Sequence, residues 1–149
     1  MSIVIEPGKI VLSDDHPQGL ELLEAYLSDT PLEIRTAHHG EETLQLVNEW
    51  LPDIVLLDVM MPKISGFEVC RQLRQNSKTQ SLGILMITAL SGLNDVDRAV
   101  DVGADDFLTK PINKYELLIR IKSLQNCKTL PLGLPRAIRY IEGVQQNSR

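Results

Sequence analysis

The sequence predicts an α/β fold: five parallel strands in a doubly wound sheet, in the order 2-1-3-4-5, with helices on both faces. Three observations carry this. Strand-like and helix-like patterns alternate five times along the chain. Two of the strand segments are uninterrupted apolar runs, as in strands buried on both faces of a parallel sheet. A third segment alternates polar and apolar residues, which suits an edge.

The elements follow in order. "KIVLS" (9–13) is apolar and stops at Asp14, and Pro17 opens a helix with Leu20, Leu23 and Leu27 at helical spacing. "EIRTA" (33–37) is the alternating strand, placed at the edge. Gly40 precedes a helix with Leu44, Val47 and Leu51 on one face, closed by Pro52. "DIVLLD" is the third strand, followed near Gly66 by a helix carrying Val69, Cys70 and Leu73. "GILMITA" (83–89) is the fourth strand. The helix behind it carries Val96, Ala99, Val100 and Val102 and ends at Gly103. "DDFLTK" (105–110) is a short fifth strand, and the helix after Pro111 buries Leu117, Leu118, Ile121 and Leu124. Strict alternation demands right-handed crossovers, which leaves few topologies.

The 149 residues fit one domain with a short appendage, and a charged fraction of 23% is ordinary for a globular chain. A net charge of −5 argues against a nucleic-acid grip by the whole body. No apolar run is long enough to span a membrane, and "MSIVIEPGKI" lacks the regions of a signal peptide. Cys70 and Cys127 therefore read as free thiols, and the expected location is cytoplasmic. Residues 127–149 hold four basic residues against one acid, a net of +3, so the preceding 126 residues carry −8. That split places a boundary near residue 127: a main domain at 1–126, then a linker and a short amphipathic helix spaced by Ile138, Ile141 and Val144, with no complete output domain.

Functional groups in such sheets collect beyond the carboxyl ends of the strands. There the sequence puts Asp14 and Asp15, Asp58, Thr88 with Ala89, and Lys110 before Pro111. Taken singly, each has a bland explanation: a helix cap, a turn residue, a strand threonine, a loop dipeptide. Together they bring three carboxylates, a hydroxyl and an ammonium to one end of one sheet. Two unit charges about 4 Å apart repel by roughly 4 kcal/mol at an effective dielectric near 20. One lysine does not neutralise three acids. A hard divalent ion on oxygen ligands does, and Mg²⁺ takes one or two carboxylates while leaving room for phosphate oxygens. His16, His38 and His39 lack ligand spacing and read as surface residues.

The segments "SDDHP", "DIVLLDVMMPKISGFEV", "ILMITA" and "GADDFLTKP" resemble the receiver domain of bacterial two-component response regulators, a flavodoxin-like (βα)5 fold, over residues 9–126. The resemblance implies that Asp58 is the nucleophile, taking a phosphoryl group from a phosphohistidine. It implies Mg²⁺ held by Asp15 directly, Asp14 through water, Asp58 and the Met60 carbonyl. Lys110, the Thr88 hydroxyl and the Ala89 amide would bind the phosphoryl oxygens, with a cis bond between Lys110 and Pro111. Thr88 and Phe107 would form the switch to the surface of the fourth helix, fifth strand and fifth helix. Phe107 stands where the family frequently has tyrosine. Met60, an apolar residue where the family tunes water access, implies a long-lived phosphate.

The implied partners are a sensor histidine kinase or a histidine phosphotransfer protein. The resemblance also allows a homodimer through the fourth helix, fifth strand and fifth helix, using Asp106, Glu116 and Arg120; Val96 stands where a basic partner for Glu116 is expected. Neither membrane nor direct DNA binding is expected. Two alternatives share the chemistry: a shuttle in a phosphorelay, or the receiver part of a longer regulator. An aspartate-nucleophile phosphatase is disfavoured because such enzymes place a second Asp two residues on, where this chain has Met60. A flavodoxin-like binding module would need a phosphate-cradling glycine loop after the first strand, and none follows.

Overall fold

The computed structural model describes residues 3–89, 93–127 and 130–148. Among these, five strands and six helices alternate as β1 (Gly8–Ser13), α1 (Pro17–Leu27), β2 (Leu32–Ala37), α2 (Gly40–Trp50), β3 (Ile54–Asp58), α3 (Gly66–Gln75), β4 (Gly83–Thr88), α4 (Leu93–Asp101), β5 (Asp106–Thr109), α5 (Lys114–Gln125) and α6 (Leu134–Asn147). The strands are all parallel, in the order β2-β1-β3-β4-β5, as the pattern predicts.

The two apolar runs lie where the pattern puts them. Every residue of β3 and of β4 is buried. Alternate residues feed two cores. Ile10, Leu12, Ile54, Leu56, Leu85 and Leu108 meet α1 and α5, through Leu23, Leu117 and Ile121 among others. Val11, Val55, Leu57, Ile84 and Met86 meet α2, α3 and α4, through Val47, Val69 and Ala99. Each such side chain contributes about 1.5–3 kcal/mol of transfer free energy. That holds the strand ends rigidly. Leu118 is only partly buried, and Leu51, expected on a buried face, is exposed because α2 ends there in a left-handed turn (φ 51°).

Cys70 and Cys127 are both free and buried. No helix among the described residues is long and apolar enough to cross a membrane.

The tail forms the expected helix, but with the opposite face inward. Ile138 and Ile141 are exposed, and Val144 is only partly buried. The buried residues of α6 are Arg136, Tyr140 and Gly143. The reason is polar. Arg136 pairs with Asp105 at 2.8 Å, and the Tyr140 hydroxyl donates to Asp106 at 2.5 Å. The helix is turned by its tethers to β5, not by its apolar stripe.

Candidate functional site

Register assembles the site. Ser13 lies beside Leu57, Asp58 beside Ile87, and Thr88 beside Thr109. The ladder continues one residue past two strands: the Asp14 amide donates to the Ala37 carbonyl (3.1 Å) and the Lys110 amide to the Thr88 carbonyl (2.7 Å). Asp14, Asp58 and Lys110 therefore emerge at one level on a fixed frame. The Lys110–Pro111 peptide bond is cis.

The Lys110 ammonium bridges two buried acids, lying 2.8 Å from Asp58 Oδ2 and 3.1 Å from Asp14 Oδ2. The other Asp58 oxygen accepts from the Met60 amide at 2.9 Å. Asp14 Oδ1 accepts from the His16 amide at 2.9 Å, so Asp14 serves the turn into α1 as well as the acidic cluster. Burial pushes the Asp58 carboxyl above its ordinary value; Lys110 and the Met60 amide oppose this, and the Asp14 charge adds to it. For Asp14 burial acts the same way, but the His16 amide and Lys110 outweigh it and the carboxyl lies below its ordinary value. Burial draws the Lys110 ammonium down, yet its bonds to Asp58 and Asp14 more than offset that, and it stays protonated above its ordinary range. The charges are those of a site with acid to spare.

Asp15 shows where the spare charge lies. Its Oδ1 is buried and receives no hydrogen bond. His16 Nδ1 lies 2.9 Å away but outside hydrogen-bond geometry. Ligand atoms of Asp14, Asp15, Asp58 and His16 all lie within 4.8 Å of one another. An oxygen-rich cluster with an orphaned buried carboxylate oxygen fits a hard divalent cation. His16 joins this cluster at its rim while remaining exposed, as do His38 and His39 elsewhere. Sequence reasoning set it aside, and only its place next to Asp15 hinted otherwise.

The "MMPK" loop splits its methionines. Met60 is exposed, whereas Met61 turns inward and its sulfur accepts from the Ser13 hydroxyl at 3.3 Å. The Ser13 and Thr43 hydroxyls are 2.5 Å apart beneath it. The loop returns at Gly66, whose amide donates to the Val59 carbonyl at 3.0 Å. A Cβ there would collide with the Asp58 carbonyl, so glycine lets α3 close against the end of β3. Thr88 is fully buried next to this site, Ala89 is exposed beyond it, and Phe107 is half-buried against the α2–α3–α4 core.

A family model described as the response regulator receiver domain matches residues 10–122. The chain is 42% identical over 121 residues to the response regulator PleD of Caulobacter vibrioides, covering 81% of this chain and 27% of PleD. It is 36% identical over 138 residues to the DNA-binding dual master transcriptional regulator RpaA of Synechocystis, covering 93% of this chain and 56% of RpaA. Among solved structures it resembles the beryllofluoride-activated receiver domain of DrrB from Thermotoga maritima, with a TM-score of 0.72, 32% identity, and coverage of 80% and 98% of the two chains. The fold and the acidic strand ends thus define a signalling receiver of the two-component type. The chain belongs to the response regulator receiver family.

Proposed function

We propose that this protein is a phosphoacceptor switch in which Asp58 takes a phosphoryl group from the phosphohistidine of a sensor kinase or phosphotransfer protein. The observation that carries the reading is the Lys110 ammonium clamped between Asp58 and Asp14, beside an acid with a buried oxygen that accepts no hydrogen bond. An Asp58 oxygen attacks phosphorus, the P–N bond to the donor imidazole breaks, and the imidazole leaves with the bonding electron pair. Lys110 is placed to follow the developing charge from the carboxylate to the phosphoryl oxygens. Thr88 and the Ala89 amide take the remaining oxygens, and Thr88 and Phe107 transmit the change to the α4–β5–α5 surface.

Mg²⁺ fits the oxygens of Asp14, Asp15 and Asp58 together with the Met60 carbonyl, and supplies charge neutralisation and alignment for transfer. In this reading the receiver spans residues 1–126, and 127–149 is an appendage. The chain spans about a quarter of PleD and about half of RpaA, which supports a second reading in which it forms the receiver part of a longer regulator. A relay shuttle uses the same chemistry. Partner binding or pairing of two copies through α4–β5–α5 needs the Asp106, Glu116 and Arg120 charges, which in this structure are engaged within the chain.

Incubation with acetyl phosphate and Mg²⁺, followed by intact mass measurement, tests the reading. One added phosphoryl group is expected, absent in Asp58→Asn and with EDTA. An unchanged mass with every phosphodonor contradicts it.

A further inference from the structure

The helix α6 lies against the start of the edge strand β5 and the last turns of α5. Its hold is specific. Arg136 grips Asp105 with two nitrogens (2.8 and 3.0 Å) and donates to the carbonyls of Ser81 (2.8 Å) and Leu82 (3.2 Å). The Tyr140 hydroxyl takes one Asp106 oxygen, and the Tyr140 carbonyl accepts from the Ser123 hydroxyl at 2.6 Å. Gly143 rests on Ser123 so closely that a Cβ would strike its Oγ. Asp106 is also the ion-pair partner of Arg120 at 3.0 Å, and Arg120 reaches Glu116 at 3.4 Å.

Without α6, β5 and α5 would present acids and a base side by side on one surface. Such a mixed-sign surface is self-complementary, because two copies related by a two-fold axis place each acid opposite the other's base. With α6 in place, the phenol of Tyr140 donates to the same Asp106 oxygen that faces Arg120, and the helix packs along α5 beside it. We infer that α6 is the intramolecular occupant of the β5–α5 face and excludes a second copy of the chain from it. This goes beyond the phosphoacceptor reading and requires no phosphate on Asp58. The attachment is mostly polar: Tyr140 is the one apolar-bodied residue of α6 in the core cluster, with Val144 partly packed beside it.

The test uses the full chain without a phosphodonor, in three forms: unchanged, Gly143→Leu and Tyr140→Phe. Amide hydrogen exchange over residues 136–147 reports docking, and sedimentation equilibrium reports association. The unchanged chain should be monomeric with protected α6 amides. Gly143→Leu should lose α6 protection at least tenfold and self-associate at least tenfold more tightly, with Tyr140→Phe shifted the same way by less. Adding Arg120→Ala to Gly143→Leu should return it to monomer while α6 stays exchanging. Four results overturn the inference: variants with exchanging α6 that remain monomeric; an unchanged chain that dimerises with α6 protected; α6 equally protected in both variants; or association that survives Arg120→Ala.

Discussion

Two acids with little-exposed side chains lie at opposite ends of the sheet's strands and have opposite surroundings. Asp105, just before β5, meets two guanidiniums, Arg74 at 3.1 Å and Arg136 at 2.8 Å, and its other bonds run to the Ile84 amide. Asp58, at the end of β3, shares one ammonium with Asp14 and sits beside Asp15. The first cluster is saturated with cations and closes on itself. The second is short of them. A saturated buried pair fixes structure, because removing one member strands the other. An under-compensated cluster is less stable than it could be and gains from any cation that offsets its charge.

The contrast can be broken most forcefully at Arg136. Arg136→Ala leaves Arg74 as the one guanidinium on Asp105 and removes a donor from the Ser81, Leu82 and Leu130 carbonyls, so unfolding in urea should show a loss of about 3 kcal/mol. Cys70, whose sulfur donates to the Val102 carbonyl at 3.4 Å, sharpens the same side. Burial pushes its thiol up to about 11; Arg74 opposes this and Asp105 adds to it. Below pH 9 the thiol is neutral folded or unfolded and contributes nothing to the balance. Between 9 and 11 the unfolded thiol ionises while the folded one does not, so stability falls with rising pH. Denaturation at stepped pH should reveal a Cys70 contribution to the decline on the order of 2 kcal/mol across that window. Cys70→Ala should show a shallower decline that persists, because burial also pushes up the Cys127 thiol and the Tyr140 phenol.

The opposite response is expected at the other acid. A carboxylate raised above its ordinary value costs stability above that value, and the cost is relieved as pH falls through the folded value. Asp58→Asn should therefore raise stability at neutral pH, by about 0.5–2 kcal/mol in calorimetry. The cation's own effect is of similar size. Mg²⁺ at ten times its Kd should add about 1.4 kcal/mol and raise Tm by about 3–6 °C, a gain largely lost in Asp15→Asn.

The site was more legible in the sequence than the tail. "IVLLD" and "GILMIT" declare buried strands, and the rule that chemistry gathers at strand carboxyl ends converts Asp14, Asp58 and Lys110 into one cluster without any long-range knowledge. The orientation of α6 could not be read that way. Its apolar spacing at Ile138 and Ile141 points to a face that the fold leaves in solvent. What turns the helix is Arg136 finding Asp105, 31 residues earlier, and Tyr140 finding Asp106, 34 residues earlier. No local pattern announces such pairs. The inward turn of Met61 escaped for the same reason, since only the fold brings Ser13 beneath it.

The central claim is that Asp58, and no other group, carries the phosphoryl. Borohydride reduces an acyl phosphate on aspartate to homoserine, which peptide mass mapping can locate. After treatment with acetyl phosphate and Mg²⁺, homoserine should appear at position 58 and nowhere else. Phosphoryl found instead on His16, His38 or His39, or homoserine at Asp14 or Asp15 with Asp58 intact, would contradict the account.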